Sequence, residues 1–213
     1  GIRTTVFFKG CPLDCRWCHS PESRSRAVQV RFVAHLCAGC GRCVEACPAG
    51  CHVLASDGTH TYSREQCLTC GACAEACPQD ALGLIGYDAT VEEVFAILIK
   101  DKPYFDASGG GVTFSGGEAA LQSGFLGALA SRLQEAGVQC ALDTCGFPPW
   151  DRYAAFMDFI DLVLFDFKES DPEKHRAHTG VGNERILENL SRIDGTDTDI
   201  HLRCPIIPDL NDE

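Results

Sequence analysis

Cysteine constrains this chain more strongly than any other feature of its sequence. The 213 residues include 15 cysteines, and twelve of them lie between positions 11 and 77. Clustered cysteines indicate either a disulfide framework or metal ligation. Disulfide frameworks are typical of short secreted chains with an even number of cysteines, whereas this chain is long and its count is odd. The sequence therefore predicts metal ligation in the reducing environment of a cytoplasm.

An internal repeat carries most of these cysteines. Residues 36–50 read LCAGCGRCVEACPAG and residues 66–80 read QCLTCGACAEACPQD. Both copies have the spacing C-x2-C-x2-C-x3-C-P of bacterial two-cluster ferredoxins, in which the fourth cysteine of each run binds the other cluster. Zinc sites are the alternative, but they usually pair two distant C-x2-C knuckles. The predicted ligands are Cys37, Cys40, Cys43 and Cys77 for the first 4Fe–4S cluster, and Cys67, Cys70, Cys73 and Cys47 for the second.

Composition and charge limit the remaining function classes. Hydrophobic residues make up 45% of the chain, and its formal net charge is −12 at pH 7. The acidic balance argues against nucleic acid, whose phosphates are bound by lysine and arginine. No apolar run is long enough to indicate a membrane span. Because the chain begins without Met and stops in a turn, we expect a fragment that lacks some residues at its front and a larger piece at its end.

Outside the repeat, residues 1–30 and 87–213 alternate strands with helices and are assigned to one larger domain, into which residues 31–86 are inserted. Predicted strands span 3–9, 111–115, 138–144, 162–168 and 199–207. Predicted helices span 90–102, 124–137, a segment near 149–157, a short segment from 172, and 183–193. Thr90 and Glu93 form a capping box at the first helix, and Pro103 is expected to end it. Strands that alternate with helices predict an α/β fold with a parallel sheet.

Polar residues follow the predicted strands, at the ends where parallel sheets place their ligands. A cysteine-rich loop follows the first strand, and SGGE at 115–118 follows the second. The third strand ends with Asp143 and Thr144, the fourth strand ends with Asp166 and Lys168, and Arg203 lies late in the fifth strand. We therefore expect these residues to share one site.

The loop after the first strand, GCPLDCRWCHSPE at 10–22, contains three cysteines and no fourth. Cys11, Cys15 and Cys18 have the spacing C-x3-C-x2-C. Three thiolates can hold three irons of a 4Fe–4S cluster and leave the fourth iron open to a non-protein ligand, as catalytic metals keep an open position. A structural or zinc-binding loop is the alternative interpretation.

This loop resembles the C-x3-C-x-aromatic-C signature of radical S-adenosylmethionine (SAM) enzymes, with Trp17 at the aromatic position. FSGGE at 114–118 resembles the Gly-Gly-Glu turn that holds the methionine amino group of SAM in that family. The chain as a whole resembles the activating enzymes of glycyl radical enzymes, and it is more similar to members with an inserted two-cluster module. The stretches that carry this resemblance are GIRTTVFFKGCPLDCRWCHSPE, GGGVTFSGGE, ALDTCGF and LVLFDFK.

The resemblance implies a partial (βα)6 radical-SAM barrel whose last strand is missing here, with an inserted α+β ferredoxin-like domain. It implies three 4Fe–4S clusters and SAM as cofactors. It also implies an oxygen-sensitive enzyme that cleaves SAM reductively to a 5′-deoxyadenosyl radical, which takes a hydrogen from a backbone glycine of a partner enzyme. Reduced flavodoxin or ferredoxin is the implied electron donor. An iron–sulfur electron-transfer protein and a radical SAM enzyme for a small molecule remain as alternatives.

The resemblance also assigns roles to individual residues. Those expected to bind SAM are Trp17, His19, Gly116, Gly117, Glu118, Asp143, Thr144, Asp166, Lys168 and Arg203. Lys168 joins the three loop cysteines as catalytic, and Asp143, the Thr144 backbone and Asp166 match positions that hold a monovalent cation. Glu118 either orients its turn or accepts from SAM. The alternatives are a plain turn for the glycines, a loop hydrogen bond for His19, and helix capping or ion pairs for Asp143, Asp166 and Arg203.

Four cysteines remain outside these predicted sites. Cys140, Cys145 and Cys204 lie in or beside predicted strands, and we interpret them as buried apolar residues. Cys51 is surplus to the repeat and is assigned no role.

Overall fold

The computed structural model describes residues 1–212 and divides into two compact units. The first unit comprises Gly1–Arg26 and the chain from Ala89 onward, and the second comprises Ala27–Asp88. The strands are β1 Arg3–Phe8, β2 Gln29–Phe32, β3 His52–Leu54, β4 His60–Tyr62, β5 Leu82–Ile85, β6 Gly111–Gly116, β7 Gln139–Thr144, β8 Leu162–Asp166 and β9 Asp199–Arg203. The α-helices are α1 Arg42–Ala46, α2 Ala72–Glu75, α3 Val91–Leu98, α4 Lys102–Ser108, α5 Ser123–Glu135, α6 Trp150–Ala154, α7 Pro172–Thr179 and α8 Glu184–Asp194.

The first unit is built on a five-stranded sheet in the order β1-β6-β7-β8-β9. All four strand pairs are parallel. Helices lie between consecutive strands of this sheet along the chain. The predicted α/β fold with a parallel sheet is therefore confirmed, and the carboxyl ends of the five strands lie along one edge.

The central strands are apolar because the sheet is covered. Phe114 in β6, Leu142 in β7 and Phe165 in β8 have no exposed surface, and Cys140 is equally buried, as predicted. Helix α5 packs its leucines into the same core, where Leu129 is fully buried. Full burial of one such side chain contributes about 1.5–3 kcal/mol.

Two predicted boundaries are wrong, and proline explains both. The predicted helix at 90–102 is α3 alone, with the expected capping box, followed by a 3-10 turn and then α4. Pro103 lies in the first turn of α4, where its missing N–H costs nothing. The last strand ends at Arg203 rather than at 207, since Pro205 has no N–H to donate to a strand ladder.

The second unit contains two antiparallel strand pairs, β2 with β5 and β3 with β4. The repeated motif builds a short helix twice, α1 and α2. Each helix follows a glycine with positive φ, Gly41 at 74° and Gly71 at 83°. Glycine adopts this conformation without steric cost, so the chain can turn sharply between the second and third cysteine of each copy. Among the described residues, no helix is both long and apolar enough to cross a membrane.

Candidate cluster and cofactor sites

Two pockets in the second unit bring the repeat cysteines together in groups of four. The first pocket is lined by Cys37, Cys40, Cys43 and Cys77 among other residues. The second pocket is lined by Cys47, Cys67, Cys70 and Cys73. Each pocket thus combines three cysteines of one copy with the last cysteine of the other, which is the grouping that the sequence predicts.

A histidine pair lies beside these pockets and was not predicted from the sequence. His60 lines the first pocket and His52 lines the second. His60 Nδ1 lies 3.4 Å from Cys37 Sγ, and His52 Nδ1 lies 3.1 Å from His60 Nε2. Ligand atoms of Cys43, His52 and His60 all lie within 4.8 Å of one another. Burial lowers the pKa of both imidazoles, which favours their neutral form.

In the first unit, a cavity of about 430 Å³ contains residues that follow all five strands of the sheet. Its lining residues are Cys11, Leu13, Cys15, Trp17, Cys18, His19, Ser20, Ser115, Gly116, Gly117, Asp143, Thr144, Cys145, Asp166, Lys168, Arg203, Cys204 and Pro205. All of the residues predicted for this site are present except Glu118. Ser115, Cys145 and Cys204 were missed, although each directly adjoins a predicted site residue in the sequence.

The three-cysteine loop is held on both flanks by backbone hydrogen bonds. The amide of Cys11 donates to Arg24 O at 3.0 Å, and that of Asp14 donates to Thr179 O, at the end of α7, at 2.7 Å. The three thiols are partly exposed. Burial raises the pKa of Cys11 to about 11 and also raises that of Cys15, although Lys168 partly opposes the second shift. The thiols of Cys11 and Cys15 would be protonated without a metal, and metal binding would release their protons.

The Gly-Gly turn packs backbone against backbone. Gly116 has φ of +104°, and a Cβ there would lie 2.4 Å from Phe8 O. A Cβ on Gly117 would lie 2.3 Å from Gly10 O and 2.8 Å from Ser23 O. The carbonyl of Gly10 also accepts from the amide of Glu118 at 2.7 Å. The turn therefore requires glycine because it lies directly against the backbone that carries the cysteine loop.

Gly117→Ala is expected to lower the free energy of unfolding by about 3 kcal/mol, because the new methyl group would overlap two carbonyl oxygens. Gly124→Ala is the matched control, since a Cβ added at this position in helix α5 would have no neighbouring atom within 4 Å. That change should be neutral or stabilising by up to about 1 kcal/mol. Urea unfolding of both variants checks the difference, and equal stabilities would contradict the packing argument.

Glu118 is fully buried and is not among the residues that line the cavity. Its carboxylate accepts from Thr144 Oγ1 at 2.9 Å, from the Cys145 amide at 2.9 Å and from the Ala120 amide at 3.2 Å. Thr144 Oγ1 also lies 2.8 Å from Tyr153 Oη. Of its two predicted roles, Glu118 therefore has the contacts of a residue that orients the turn. Burial raises the pKa of this carboxyl.

Four charged side chains form a network at the other side of the cavity. Arg203 bonds to both Asp143 and Asp166, and its Nη2 lies 2.6 Å from Asp166 Oδ1. Lys168 Nζ lies 3.0 Å from Asp166 Oδ2, and Ser115 Oγ donates to Asp143 Oδ2 at 2.8 Å. Every carboxylate oxygen of the pair therefore has a partner. This arrangement corresponds to the alternative in which Asp143 and Asp166 form ion pairs. The guanidinium of Arg203 lies between the two carboxylates, where a monovalent cation was predicted.

The pKa shifts in this network follow from burial and neighbouring charge. Burial, with the like charge of Asp166, raises the pKa of Asp143 despite the bonds from Ser115 and Arg203. Burial opposes the charged form of Lys168, but Asp166 and the Cys15 sulfur outweigh it, so the pKa of Lys168 rises. Lys168 and Arg203 are therefore both cationic, and both line the cavity, where they can bind an anionic group.

Trp17 has an unused polar atom. Its Nε1 is buried and has no hydrogen-bond partner among the described residues, and the same is true of His178 Nδ1. The two rings lie 5.7 Å apart. A buried donor without a partner costs about 1–3 kcal/mol, so Trp17 is a candidate for binding a polar ligand in the cavity.

The remaining cysteines differ in environment. Cys145 is buried beneath the cavity, as expected for an apolar residue. The same prediction is wrong for Cys204, which is exposed because β9 ends one residue earlier. Cys51 is buried, and its amide lies 3.3 Å from Cys47 Sγ.

The first unit has a parallel sheet with a three-cysteine loop and a Gly-Gly turn at one cavity, and the second unit has two four-cysteine pockets. These features define an iron–sulfur protein of the radical SAM class. A family profile described as a 4Fe-4S dicluster domain matches residues 36–82. The choline trimethylamine-lyase activating enzyme of Oleidesulfovibrio alaskensis is 40% identical over 214 residues, which cover all of this chain and 69% of that protein. The isethionate sulfite-lyase activating enzyme of Nitratidesulfovibrio vulgaris is 42% identical over 218 residues, which cover all of this chain and 71% of that protein.

A crystal structure of a domain of the pyruvate-formate lyase-activating enzyme from Bacteroides vulgatus is also similar, at 34% identity and a TM-score of 0.45, and the match covers 48% of this chain and 63% of that one. These two matches, which cover all of this chain and about seven tenths of each relative, show that the chain belongs to the activating enzymes of glycyl radical enzymes, within the radical SAM family. The family and the enzyme class predicted from the sequence are thereby confirmed.

Proposed function

We propose that this chain holds a SAM-binding 4Fe–4S cluster at Cys11, Cys15 and Cys18 and uses it to place a radical on a glycine of a partner enzyme. The observation that supports this most strongly is the cavity that brings the three thiols together with Gly116 and Gly117. When bound, the cluster and SAM would supply an electron and a 5′-deoxyadenosyl radical that takes a hydrogen from a glycine Cα.

The residues present fit such a group. The cavity of about 430 Å³ lies within the usual range of about 300–1,000 Å³ for small-molecule sites. Trp17 offers an unpaired buried N–H on its wall. In the proposal, the three cysteines hold iron, and Trp17 and His19 lie along the adenine.

The charged network and the turn would orient the methionine part of SAM. Lys168 and Arg203 provide positive charge for its carboxylate, and the backbone of Gly116 and Gly117 contacts the rest. Glu118 acts from behind as a positioning residue, because it holds the turn without reaching the cavity.

A monovalent cation at Asp143, the Thr144 backbone and Asp166 belongs to the same proposal. Such a cation would compete with Arg203, since both need the same carboxylate oxygens. Cation binding therefore requires the guanidinium to leave at least one of the two aspartates.

The first unit is proposed to be an incomplete (βα)6 barrel. Its five strands follow chain order and leave β1 and β9 at the two edges. An open barrel leaves room at the carboxyl ends of the strands for a protein loop that carries the target glycine.

The second unit is proposed to hold two further 4Fe–4S clusters with the exchanged ligand sets of the two pockets, which makes three clusters in all. We propose reduced flavodoxin or ferredoxin as the electron donor, in the reducing environment of the cytoplasm.

The test begins with protein reconstituted anaerobically, reduced with dithionite and mixed with SAM. We expect 5′-deoxyadenosine, and a glycyl radical signal by electron paramagnetic resonance (EPR) once a suitable lyase is added. Choline trimethylamine-lyase and isethionate sulfite-lyase are the first candidates because the relatives activate enzymes of these names. A lyase whose radical glycine is changed to alanine serves as control. Absence of deoxyadenosine would contradict the radical chemistry, and deoxyadenosine without a radical on any glycyl radical enzyme would favour a small-molecule substrate.

A further inference from the structure

The histidine pair of the second unit contacts one cysteine pocket differently from the other. His52 in β3 and His60 in β4 lie on a strand pair that separates the two copies of the repeat. His60 Nδ1 lies 3.4 Å from Cys37 Sγ, and His60 Nε2 lies 3.7 Å from Cys43 Sγ. Within residues 1–212, no hydrogen bond joins His52 to a cysteine. The contact with sulfur is therefore particular to the first pocket.

The contact with Cys37 determines the tautomer of His60. A metal-bound thiolate can only accept a hydrogen bond, and His60 faces two cysteine sulfurs, so we place the proton on the nitrogen nearer to sulfur, Nδ1 at 3.4 Å from Cys37 Sγ rather than Nε2 at 3.7 Å from Cys43 Sγ. In a neutral imidazole the other nitrogen, Nε2, must then accept, and its partner at 3.1 Å is His52 Nδ1. His52 thus donates to His60 and keeps it in the tautomer that donates to sulfur.

The environment of His52 supports this assignment. His52 is 3% exposed, and its Nε2 is buried with no hydrogen-bond partner in the described part of the chain. In the assigned tautomer this atom is a bare acceptor. The opposite assignment would leave the N–H of His52 Nε2 buried without an acceptor among the described residues. It would also place a lone pair of His60 at the nearer sulfur, Cys37 Sγ at 3.4 Å, rather than at Cys43 Sγ at 3.7 Å. Stacking on Tyr62, with centroids 4.9 Å apart, keeps the His52 ring in place.

We infer that His60, oriented by His52, donates an N–H···S hydrogen bond to Cys37, a ligand of the first cluster, and raises the reduction potential of that cluster above that of the second. The physical reason is that reduction adds negative charge to the cluster and its thiolates, and a hydrogen-bond donor stabilises that charge. The repeat by itself makes the two clusters nearly equivalent. This inference rests on the ligand sets of the proposed function.

The test is an EPR-monitored redox titration of the full-length, anaerobically reconstituted protein and of His60→Phe. Phenylalanine preserves the ring contact with Phe32, whose centroid lies 4.4 Å from that of His60. It removes the Nδ1 donor to Cys37 together with the Nε2 acceptor of His52. We expect the electron-uptake constant of one cluster to fall about tenfold, which is about 59 mV for a one-electron couple, with the other clusters unchanged. His35→Phe is the matched control, because His35 is exposed and lies two residues before Cys37.

Further variants keep the inference testable where His60→Phe fails to assemble. His52→Phe retains the stacking on Tyr62 and should lower the reduction potential of the first cluster by less than His60→Phe does. His60→Gln keeps an N–H donor, so its potential should lie between those of His60→Phe and the unaltered protein. Pulsed EPR of the unaltered protein with ¹⁵N-histidine should show a nitrogen coupled to one insert cluster.

Iron and zinc analysis separates the possible failures. If His60→Phe keeps its full iron content and its cluster potentials are unchanged, and the unaltered protein shows no nitrogen coupling, the inference about His60 is wrong. The proposed ligand sets would not be affected by that result. Zinc bound by Cys43, His52 and His60, or loss of the insert clusters from unaltered protein, would overturn the proposed ligand sets as well.

Discussion

Cys15→Ala is expected to abolish formation of 5′-deoxyadenosine and to remove about four iron atoms per chain, the content of one cubane cluster. The reason is that two remaining thiolates cannot hold three corners of the cube. The eight cysteines of the second unit are untouched, so the clusters proposed there should persist. Iron analysis and product chromatography of the reconstituted protein measure both effects.

Cys204→Ala is the matched control for this experiment. Cys204 lines the same cavity and is exposed, but it lies outside the three-cysteine loop. Its removal should not alter the iron content of the protein. It should also not alter the change that SAM induces in the EPR spectrum. Should Cys204→Ala or Cys145→Ala lose that cluster or its response to SAM, a protein thiol would be bound to the fourth iron, and the open position that SAM requires would not exist.

Glu118→Ala is expected to lower the free energy of unfolding by about 3–5 kcal/mol, because each buried donor left without a partner costs about 1–3 kcal/mol. The donors concerned are Thr144 Oγ1 and the amides of Ala120 and Cys145. Glu188→Ala is a control of the same type, since Glu188 is exposed and forms an ion pair with Arg192, and it should cost about 0.5 kcal/mol or less. Chemical unfolding curves decide between them, and a cost below 1 kcal/mol for Glu118→Ala would contradict the positioning role.

The same carboxyl should make stability depend on pH. Burial raises the folded-state pKa of Glu118 above its unfolded value, so the folded state binds this proton more tightly. Its contribution is then fully present below the pKa of an unfolded glutamate and decreases as pH rises through the folded-state pKa. Glu118→Gln cannot titrate, and the slope of unfolding free energy against pH should be smaller in that variant than in unaltered protein.

Local patterns predicted the order and type of most secondary structure. Strands β6, β7 and β8 lie within two residues of their predicted ends, because short apolar runs bounded by turn residues are a local property. Helix α4 was missed because Pro103 was interpreted as a stop. Proline ends one helix and can equally open the next, and nothing local to the residue distinguishes the two.

Side-chain direction at the site was less predictable than position. Glu118 occupies the predicted strand end, yet its carboxylate points into the core toward Thr144, 26 residues later in the chain. Arg203 bridges Asp143 and Asp166, from which it is separated by 60 and 37 residues. Such contacts depend on how neighbouring strands are placed side by side, and a strand pattern does not contain that information.

The cysteine spacing alone determined which thiols can meet in each pocket, because three ligands on one tight loop can reach only three corners of a cube and the fourth must come from the other copy. Sequence also determined that the polar residues would collect at one edge of a parallel sheet. Only the tertiary structure decided that Glu118 supports the turn from behind, that a guanidinium lies between the two aspartates, and that His60 faces the first pocket. These arrangements arise from packing between distant segments, where sterics and burial select one direction among several that the local sequence allows.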